Sequence, residues 1–241
     1  MTQLSERVVI ITGASSGIGA ATARHLASVG AHPVLAARRV DRIEALSSEL
    51  GGALAVPTDV TKRADIAHLI SATMERFGRV DGLVNNAGIS FHDRVATFDT
   101  GEFAHVLAVN VIGLVEVIQA VVPAMREQHF GRIVNISSGT TRMVLSGVGG
   151  YAASKSAVNM LSAVARAELE PDGIAVSLVL PSMTATEFGG GMYASGHGSG
   201  RIIHSPEYVA KVILRALRTG EERIDIPYGP EQPELAELPP T

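Results

Sequence analysis

Short apolar runs alternate with segments of helical length along the chain, and this alternation constrains the fold more than any other feature. Several of the runs are rich in Val, Ile and Ala without a polar residue at every second position, as expected of strands covered on both faces. The repeat predicts a doubly wound parallel sheet with helices on both faces. Predicted strands span residues 8–12, 33–37, 53–58, 82–85, 132–136, 174–180 and 223–226, and predicted helices span 18–29, 40–50, 62–77, 103–126, 151–170 and 206–218.

Composition narrows the classes of protein. With 241 residues, 46% of them hydrophobic, the chain suits one sizeable core, so we predict a single domain over residues 1–241. A net charge of −4 argues against nucleic acid as a partner, and the absence of cysteine excludes disulfides and thiolate chemistry. The first residues are polar up to Arg7 and then enter a strand, which predicts a cytoplasmic protein without a signal peptide. The long apolar stretch from Val106 to Met125 is broken by polar residues and Pro123, so no membrane span is predicted.

A glycine-rich turn follows the first predicted strand and reads TGASSGIG, from Thr12 to Gly19. Doubly wound sheets bind ligands beyond the carboxyl ends of their strands. Glycines there let backbone N–H groups approach a pyrophosphate, and the next helix offers its positive end to the same anion. The spacing, at Gly13, Gly17 and Gly19, differs from G-x-G-x-x-G and lacks the Gly-Lys-Ser/Thr of nucleotide hydrolases. A compact strand-to-helix connection without a ligand is the alternative.

Two arginines follow the second predicted strand, where dinucleotide sites for NAD usually carry an acidic residue. Arg38 and Arg39 precede the first carboxylate, Asp41. Guanidinium groups at this place suit a ribose 2′-phosphate and predict NADP(H) as the preferred cofactor, with NAD(H) not excluded. A solvated basic turn is the alternative. After the third strand, Asp59 could accept a hydrogen bond from an adenine amino group or cap the next helix.

The stretch YAASK places Lys155 four residues after Tyr151. With four tyrosines and three lysines in the chain, about 0.05 such pairs are expected by chance. On a helix the two side chains share a face, and an ammonium beside a phenol lowers the pKa of the phenol and suits it to proton transfer. An ordinary exposed pair near a helix start is the alternative.

Five motifs together resemble the short-chain dehydrogenase/reductase family: TGASSGIG at Thr12, NNAG at Asn85, VNVIG at Val109, NISSG at Asn135 and YAASK at Tyr151. The resemblance covers nearly the whole chain, in the family's order and spacing. It implies a single Rossmann-type domain and hydride transfer between a nicotinamide and a carbonyl or alcohol carbon of a small substrate.

The resemblance also implies roles for individual residues. Tyr151 exchanges the proton with the substrate oxygen, and Ser138, thirteen residues earlier, hydrogen-bonds that oxygen in preference to Ser137. Lys155 holds the nicotinamide ribose, and Asn110 positions a water that links Lys155 to solvent. The residues implied to bind the cofactor are Gly13, Ser15, Ser16, Gly17, Ile18, Gly19, Arg38, Arg39, Asp59, Val60, Asn86, Ala87, Gly88, Tyr151, Lys155, Pro181, Thr184 and Thr186.

Three positions depart from the family pattern. Ser182 replaces the glycine that usually follows Pro181, and Ser16 stands where many NADP-dependent members have a basic residue. The C-terminus, residues 227–241, is a proline-rich acidic tail instead of the glycine-rich ending of the family's tetramers. The cofactor preference therefore depends on Arg38 and Arg39.

The substrate pocket is predicted to be formed by residues 90–94, 140–147 and a mobile, glycine-rich lid over 183–204. Its apolar members suit a hydrophobic ketone or aldehyde, although such a cluster often serves packing alone. No metal site is predicted. The apolar members are Phe91, Met143, Val144, Leu145, Phe188, Met192 and Tyr193, and Arg142, His92, His197 and His204 are either anion contacts or, as we favour, solvated loop residues.

Two predicted helices, 103–126 and 151–170, are apolar over more than one face. One face covers the sheet, so the second predicts a homodimer or homotetramer, unless loops of the same chain cover it. For function, an NADP(H)-dependent carbonyl reductase or alcohol dehydrogenase is predicted. A non-catalytic NADPH-binding regulator and an epimerase using the same site are the alternatives.

Overall fold

Seven parallel strands form one sheet in the computed structural model, which describes residues 3–189 and 203–237. The strands are β1 (Val8–Thr12), β2 (His32–Ala37), β3 (Leu54–Pro57), β4 (Gly82–Asn85), β5 (Gly131–Ile136), β6 (Ile174–Leu180) and β7 (Arg223–Asp225). Their spatial order is β3-β2-β1-β4-β5-β6-β7, so the winding direction reverses between β1 and β4. Such a reversal opens a crevice at the carboxyl ends of the strands. The predicted doubly wound parallel sheet is confirmed.

Helices cover both faces of this sheet. They are α1 (Gly17–Ser28), α2 (Val40–Glu49), α3 (Arg63–Phe77), α4 (Thr100–Leu107), α5 (Leu114–Glu127), α6 (Gly149–Leu169), α7 (Pro206–Thr219) and the short α8 (Pro233–Ala236). Most predicted helix bounds are right within about three residues, as sequence patterns allow. Two features were missed. The predicted helix 103–126 begins at Thr100 and contains a π-helical turn, Ala108–Gly113, and the proline-rich tail contains α8.

Strand β1 shows why the predicted strands lack polar alternation. All five of its residues are buried. Val9 and Ile11 belong to the apolar cluster beneath α1 and α7, whereas Val8 and Ile10 belong to the cluster beneath α3 and α5. Because successive side chains of a strand point to opposite faces, both sets must be apolar when helices cover both faces.

The helical segment Thr100–Glu127 is long and apolar enough to cross a membrane by length and composition alone. In the fold it covers the sheet, and 44% of its most apolar window is buried. Val117, Val121 and Met125 are completely buried against strands of the same sheet. This packing accounts for the apolar character of one face of the segment, while Ile112 on another face is exposed.

Candidate active site

The residues that sequence analysis assigned to a cofactor all lie beyond the carboxyl ends of strands β1 to β6, or on α6 beside them. Their elements converge on the crevice between β1 and β4. The arrangement has two ends. We call Asn110, Ser138, Tyr151 and Lys155 the tyrosine end, and Ser15, Ser16, Arg39, Arg42 and Glu187 the arginine end.

The glycine turn between β1 and α1 is held against the loop that follows β4. Gly13 has a φ of +67°, and a Cβ atom there would lie 3.0 Å from the Asn86 side chain. A Cβ at Gly19 would collide with the carbonyl oxygen of Gly13. The Asn86 amide donates to the carbonyls of Thr12 and Gly13 at 3.1 and 3.2 Å, and the Thr12 hydroxyl accepts from the backbone N–H of Ala87 at 3.0 Å. The turn is therefore a close-fitting backbone cradle that fits a pyrophosphate at the start of α1.

The arginine end is formed by side chains from three separate segments, namely the turn after β1, the start of α2 with the residue before it, and the loop after β6. The Arg39 guanidinium donates to the hydroxyls of Ser15, at 3.0 and 2.8 Å, and of Ser16, at 2.6 Å. Arg39 and Arg42 both pair with Glu187, at 3.0 and 2.6 Å. Arg42 was not predicted as a site residue, although it lies three residues beyond Arg39 at the start of α2. Glu187 was not predicted either, because its partners are far away in the sequence.

Arg38 differs from Arg39 in that its charge acts on Asp59. Burial raises the pKa of the Asp59 carboxyl, but hydrogen bonds from Thr61 and the charges of Arg38 and Lys62 outweigh it and leave that pKa lowered. Asp59 accepts from the Thr61 N–H at 3.0 Å and the Thr61 hydroxyl at 2.7 Å. It forms a turn before α3 and does not cap the helix, whose first residue is Arg63.

Polar contacts fix helix α6 against strand β5. The Asn135 amide donates to the Ser162 hydroxyl at 2.8 Å, and the Ser137 hydroxyl donates to the Asn159 carbonyl oxygen. Nearer the cleft, the Lys155 ammonium donates to the carbonyl of Ile136 at 2.9 Å. Ser137 is thus engaged with α6, which leaves Ser138 as the hydroxyl on the cleft side. Because each contact is directional and two of the three are fully buried, together they set the register of α6 and the position of Tyr151.

Tyr151 is buried, with 9% of its surface exposed. Burial raises the pKa of its phenol to about 12, a hydrogen bond with the Ser138 side chain partly offsets this, and Tyr228 raises it further. The YAASK motif predicts the opposite direction, because Lys155 would stabilise the phenolate. The ammonium lies 6.0 Å from the centre of the tyrosine ring and bonds to Ile136 instead, so desolvation decides the pKa in the protein alone.

Lys155 shares its surroundings with Asn110 and with the loop after β4. Burial lowers the pKa of its ammonium to about 8. A Cβ at Gly88 would lie 3.2 Å from the side-chain oxygen Oδ1 of Asn110 and 3.6 Å from the Nζ of Lys155. The glycine therefore lets both side chains approach the loop. Asn110 lies in the π-helical turn, accepts from the Ile89 N–H at 2.8 Å and donates to the Ser154 hydroxyl at 3.1 Å. Such turns are frequent at functional sites.

The loop after β6 crosses towards the glycine turn. Thr184 is buried and pairs through its backbone with His204. The Thr186 methyl lies close to Gly17, where an added Cβ would be only 2.9 Å from it. His204 is completely buried between Ser182, at 2.8 Å, and the carbonyl of Gly229, at 2.8 Å. Our preference for a solvated loop histidine is therefore wrong at this position. Pro181 is also buried, and the remainder of the predicted lid, 190–202, with Met192, Tyr193 and His197, lies outside the described residues.

The predicted apolar pocket divides into packed and open parts. Phe91 is buried and packs against the partly buried Phe98 and Phe103 in an aromatic cluster beside Tyr151. Phe188 is 42% exposed, and its ring centre lies 5.8 Å from that of Tyr151. Tyr228, whose hydroxyl lies against Gly139 beside Ser138, was not predicted as a site residue. Met143, Val144 and Leu145 are exposed, and Arg142 pairs with Asp225. Within residues 3–189 and 203–237, no group of side chains could hold a metal ion.

A reversal of strand order, a glycine cradle at a helix start and a buried tyrosine and lysine on one helix face together define a Rossmann-type oxidoreductase that uses a nicotinamide cofactor. The chain belongs to the short chain dehydrogenase family, whose profile matches residues 7–194. The resemblance seen in the five motifs is thereby confirmed.

Relatives and a solved structure agree with this assignment. The chain is 35% identical over 219 residues to an uncharacterized oxidoreductase of Staphylococcus haemolyticus, covering 90% of this chain and 93% of that protein. It is 38% identical over 228 residues to the glycine betaine reductase ATRR of Emericella nidulans, covering 90% of this chain but only 18% of that longer protein. A crystal structure of 3-ketoacyl-(acyl-carrier-protein) reductase from Brucella melitensis complexed with NADH superimposes with a TM-score of 0.84 at 28% identity, covering 92% and 97% of the two chains.

Proposed function

We propose that the protein is an NADP(H)-dependent carbonyl reductase or alcohol dehydrogenase acting on a small, hydrophobic substrate. The observation that carries this proposal is the buried Tyr151 phenol, which interacts with Ser138 and lies on the same helix face as Lys155. The structurally similar 3-ketoacyl-(acyl-carrier-protein) reductase and the longer glycine betaine reductase, of which the chain matches 18%, are both reductases, which supports the class of reaction.

A nicotinamide bound in the cleft would supply or accept the hydride, and the side chains of the tyrosine end would donate or accept the proton. Negative charge develops on the carbonyl oxygen during reduction, and the hydroxyls of Ser138 and Tyr151 stabilise it. The Tyr151 phenol, with its raised pKa, is protonated at neutral pH and can donate its proton to that oxygen. The Lys155 ammonium would hold the nicotinamide ribose, and Asn110 would support the path by which the proton is replaced.

Residues along the crevice would hold the remainder of the cofactor. The cradle formed by Gly13, Gly17 and Gly19 would take the pyrophosphate, and the loop Asn86 to Gly88 would lie beneath the adenosine. Arg39, joined by Arg42, would bind a ribose 2′-phosphate, which supports a preference for NADP(H). The other residues assigned to the cofactor are Ser15, Ser16, Ile18, Arg38, Asp59, Val60, Pro181, Thr184 and Thr186.

Apolar side chains near Tyr151 support a hydrophobic substrate. Phe188 lies beside the Tyr151 ring, and Met143 and Leu145 are each 37% exposed on the loop that follows Ser138. A ketone, an aldehyde or the corresponding alcohol with an apolar substituent would bury part of this surface.

A panel of ketones, aldehydes and alcohols tests the proposal, with the near-ultraviolet absorbance of the reduced nicotinamide as the readout and both cofactors tested in parallel. We expect turnover of hydrophobic carbonyl compounds. At low cofactor concentration, the rate should be higher with NADPH than with NADH. Tight NADPH binding without turnover of any compound would contradict the enzymatic proposal and favour a binding role.

We also propose that the protein forms a homodimer or homotetramer through α6 and the segment around α5. Met160 and Val164 on α6 are 67% and 46% exposed, and Ile112 in the π-helical turn is 54% exposed. No other described part of the chain covers this apolar surface, which a second copy would bury. Light scattering should give at least twice the mass of one chain, and the double substitution Met160→Asp with Val164→Asp should reduce it to one chain.

A further inference from the structure

Glu187 occupies a site made of positively charged and hydroxyl groups at the arginine end. Its Oε2 atom lies 3.0 Å from an Arg39 nitrogen and 2.6 Å from an Arg42 nitrogen. The Arg39 guanidinium is oriented by the hydroxyls of Ser15 and Ser16. Two guanidinium groups that share one oxygen, with hydroxyls beside them, form the kind of donor set that binds a phosphate group.

We propose that Glu187 is an internal ligand of this anion site and weakens the preference for NADP(H) over NAD(H) by competing with the ribose 2′-phosphate for Arg39 and Arg42. The inference rests on the proposed NADP(H) preference. It adds a residue that opposes this preference and that lies 148 positions from Arg39 in the sequence.

Competition follows from charge and from the shared donors. The carboxylate and a 2′-phosphate are both anions, so neither can use the same guanidinium nitrogens while the other is bound. The cofactor without a 2′-phosphate does not need these nitrogens and leaves Glu187 in place. The hydrogen bonds from Arg42 and Arg39 lower the pKa of Glu187, so the competing group is ionised at neutral pH.

The position of Glu187 permits its displacement. Its side chain is 55% exposed, and those of Arg39 and Arg42 are 43% and 42% exposed, so the carboxylate can turn into solvent at a small cost. The backbone before it is fixed, because Thr184 pairs with the buried His204. A 2′-phosphate would therefore displace a side chain and not the fold.

The substitution Glu187→Gln tests the inference by measuring cofactor binding without substrate, through the fluorescence of the reduced nicotinamide. Removing the competing charge should lower the dissociation constant of NADPH by about threefold to tenfold and should not lower that of NADH. The substitution Glu44→Gln is the matched control. It removes a charge from an exposed position on α2 that has no ion pair among the described residues, and it should leave the ratio of the two constants as in the wild type.

Equal shifts for both cofactors, or no shift, would overturn the inference. In a background with both Arg39→Gln and Arg42→Gln, the effect of Glu187→Gln on NADPH should disappear, and a persisting gain would also contradict it. If the wild type prefers NADH but Glu187→Gln still moves the ratio towards NADPH, the proposed preference fails and the inference stands. Unfolding temperatures show whether each variant is folded. Glu187→Asp, with a shorter side chain, should give a ratio of NADPH to NADH dissociation constants between those of the wild type and Glu187→Gln.

Discussion

The tyrosine end and the arginine end lie in one cleft, but they hold their polar groups differently. At the tyrosine end, Tyr151 and Lys155 are 9% and 5% exposed. Burial raises the pKa of the phenol and lowers the pKa of the ammonium, so it favours the neutral form of both groups. At the arginine end, Arg39 and Glu187 are about half exposed and remain charged. The difference teaches that chemistry is placed where water is excluded, whereas recognition of a charged group is placed where ion pairs can be exchanged.

The largest effect should follow substitution of the buried phenol. Tyr151→Phe removes the proton donor and little else, so kcat should fall by about 10²- to 10⁴-fold while the dissociation constant of NADPH changes little. Turnover and fluorescence titration measure the two quantities. Unchanged turnover would contradict the assignment of proton transfer to the tyrosine end.

Two neighbouring serines sharpen the assignment of the tyrosine end. Ser138→Ala removes a donor to the developing oxyanion and should lower kcat by about 10²- to 10³-fold. Ser137→Ala removes a hydroxyl that bonds to Asn159, so it should lower the free energy of unfolding by about 1 kcal/mol and leave kcat nearly unchanged. Steady-state kinetics and urea unfolding separate the two results, and equal losses of kcat would contradict the assignment.

The buried ammonium predicts a pH dependence of stability. The pKa of Lys155 falls from 10.5 in the unfolded chain to about 8 in the fold. Between these pH values the unfolded chain holds a proton that the folded chain has lost, so the free energy of unfolding rises with pH across this window, by about 3 kcal/mol. Lys155→Met should remove this rise, as measured by urea unfolding between pH 7 and 10 in the absence of cofactor.

An exposed lysine provides the control for that measurement. Lys211→Met on α7 should follow the wild-type pH dependence. If the Lys155 and Lys211 variants show the same pH dependence, the ammonium at the tyrosine end is not desolvated as described.

A smaller effect on the reaction should be found at the exposed end. Arg39→Gln removes one charged contact to a 2′-phosphate and should raise the dissociation constant of NADPH by about tenfold to a hundredfold, with little change for NADH. Added salt should reduce the difference in NADPH dissociation constant between the wild type and Arg39→Gln, because salt screens the charge of the exposed Arg39 guanidinium. Arg24→Gln on α1, an exposed arginine paired with Glu49, should leave both constants unchanged. A loss that is equal for both cofactors would indicate a structural role.

The sequence predicted the sheet and the motifs well because those depend on local patterns. A covered strand such as Val8–Thr12 must be apolar on both sides, and TGASSGIG and YAASK each lie within one turn or one helix. The family's spacing then brought Ser138 near Tyr151 in the prediction, and the structure places the two side chains in contact.

What the sequence did not predict depends on contacts between distant segments. The pKa of Tyr151 is set by burial, which only the packed fold reveals, and Lys155 turns to a strand carbonyl instead. The pair between Arg42 and Glu187 joins the start of α2 to the loop after β6, and no short motif connects the two segments. The π-helical turn at Asn110 carries the same apolar pattern as a regular helix, so periodicity alone could not identify it.

The buried contacts between β5 and α6 have a consequence for how the protein tolerates change. Lys155, Asn159 and Ser162 each bond to a different position of the strand or its end, so sliding the helix along the strand would break all three contacts at once. Apolar surfaces alone would permit such sliding at lower cost. Loss of one contact, as in Ser137→Ala, leaves the other two to hold the register, whereas loss of several at once should misplace the Tyr151 hydroxyl and impair the enzyme at a distance.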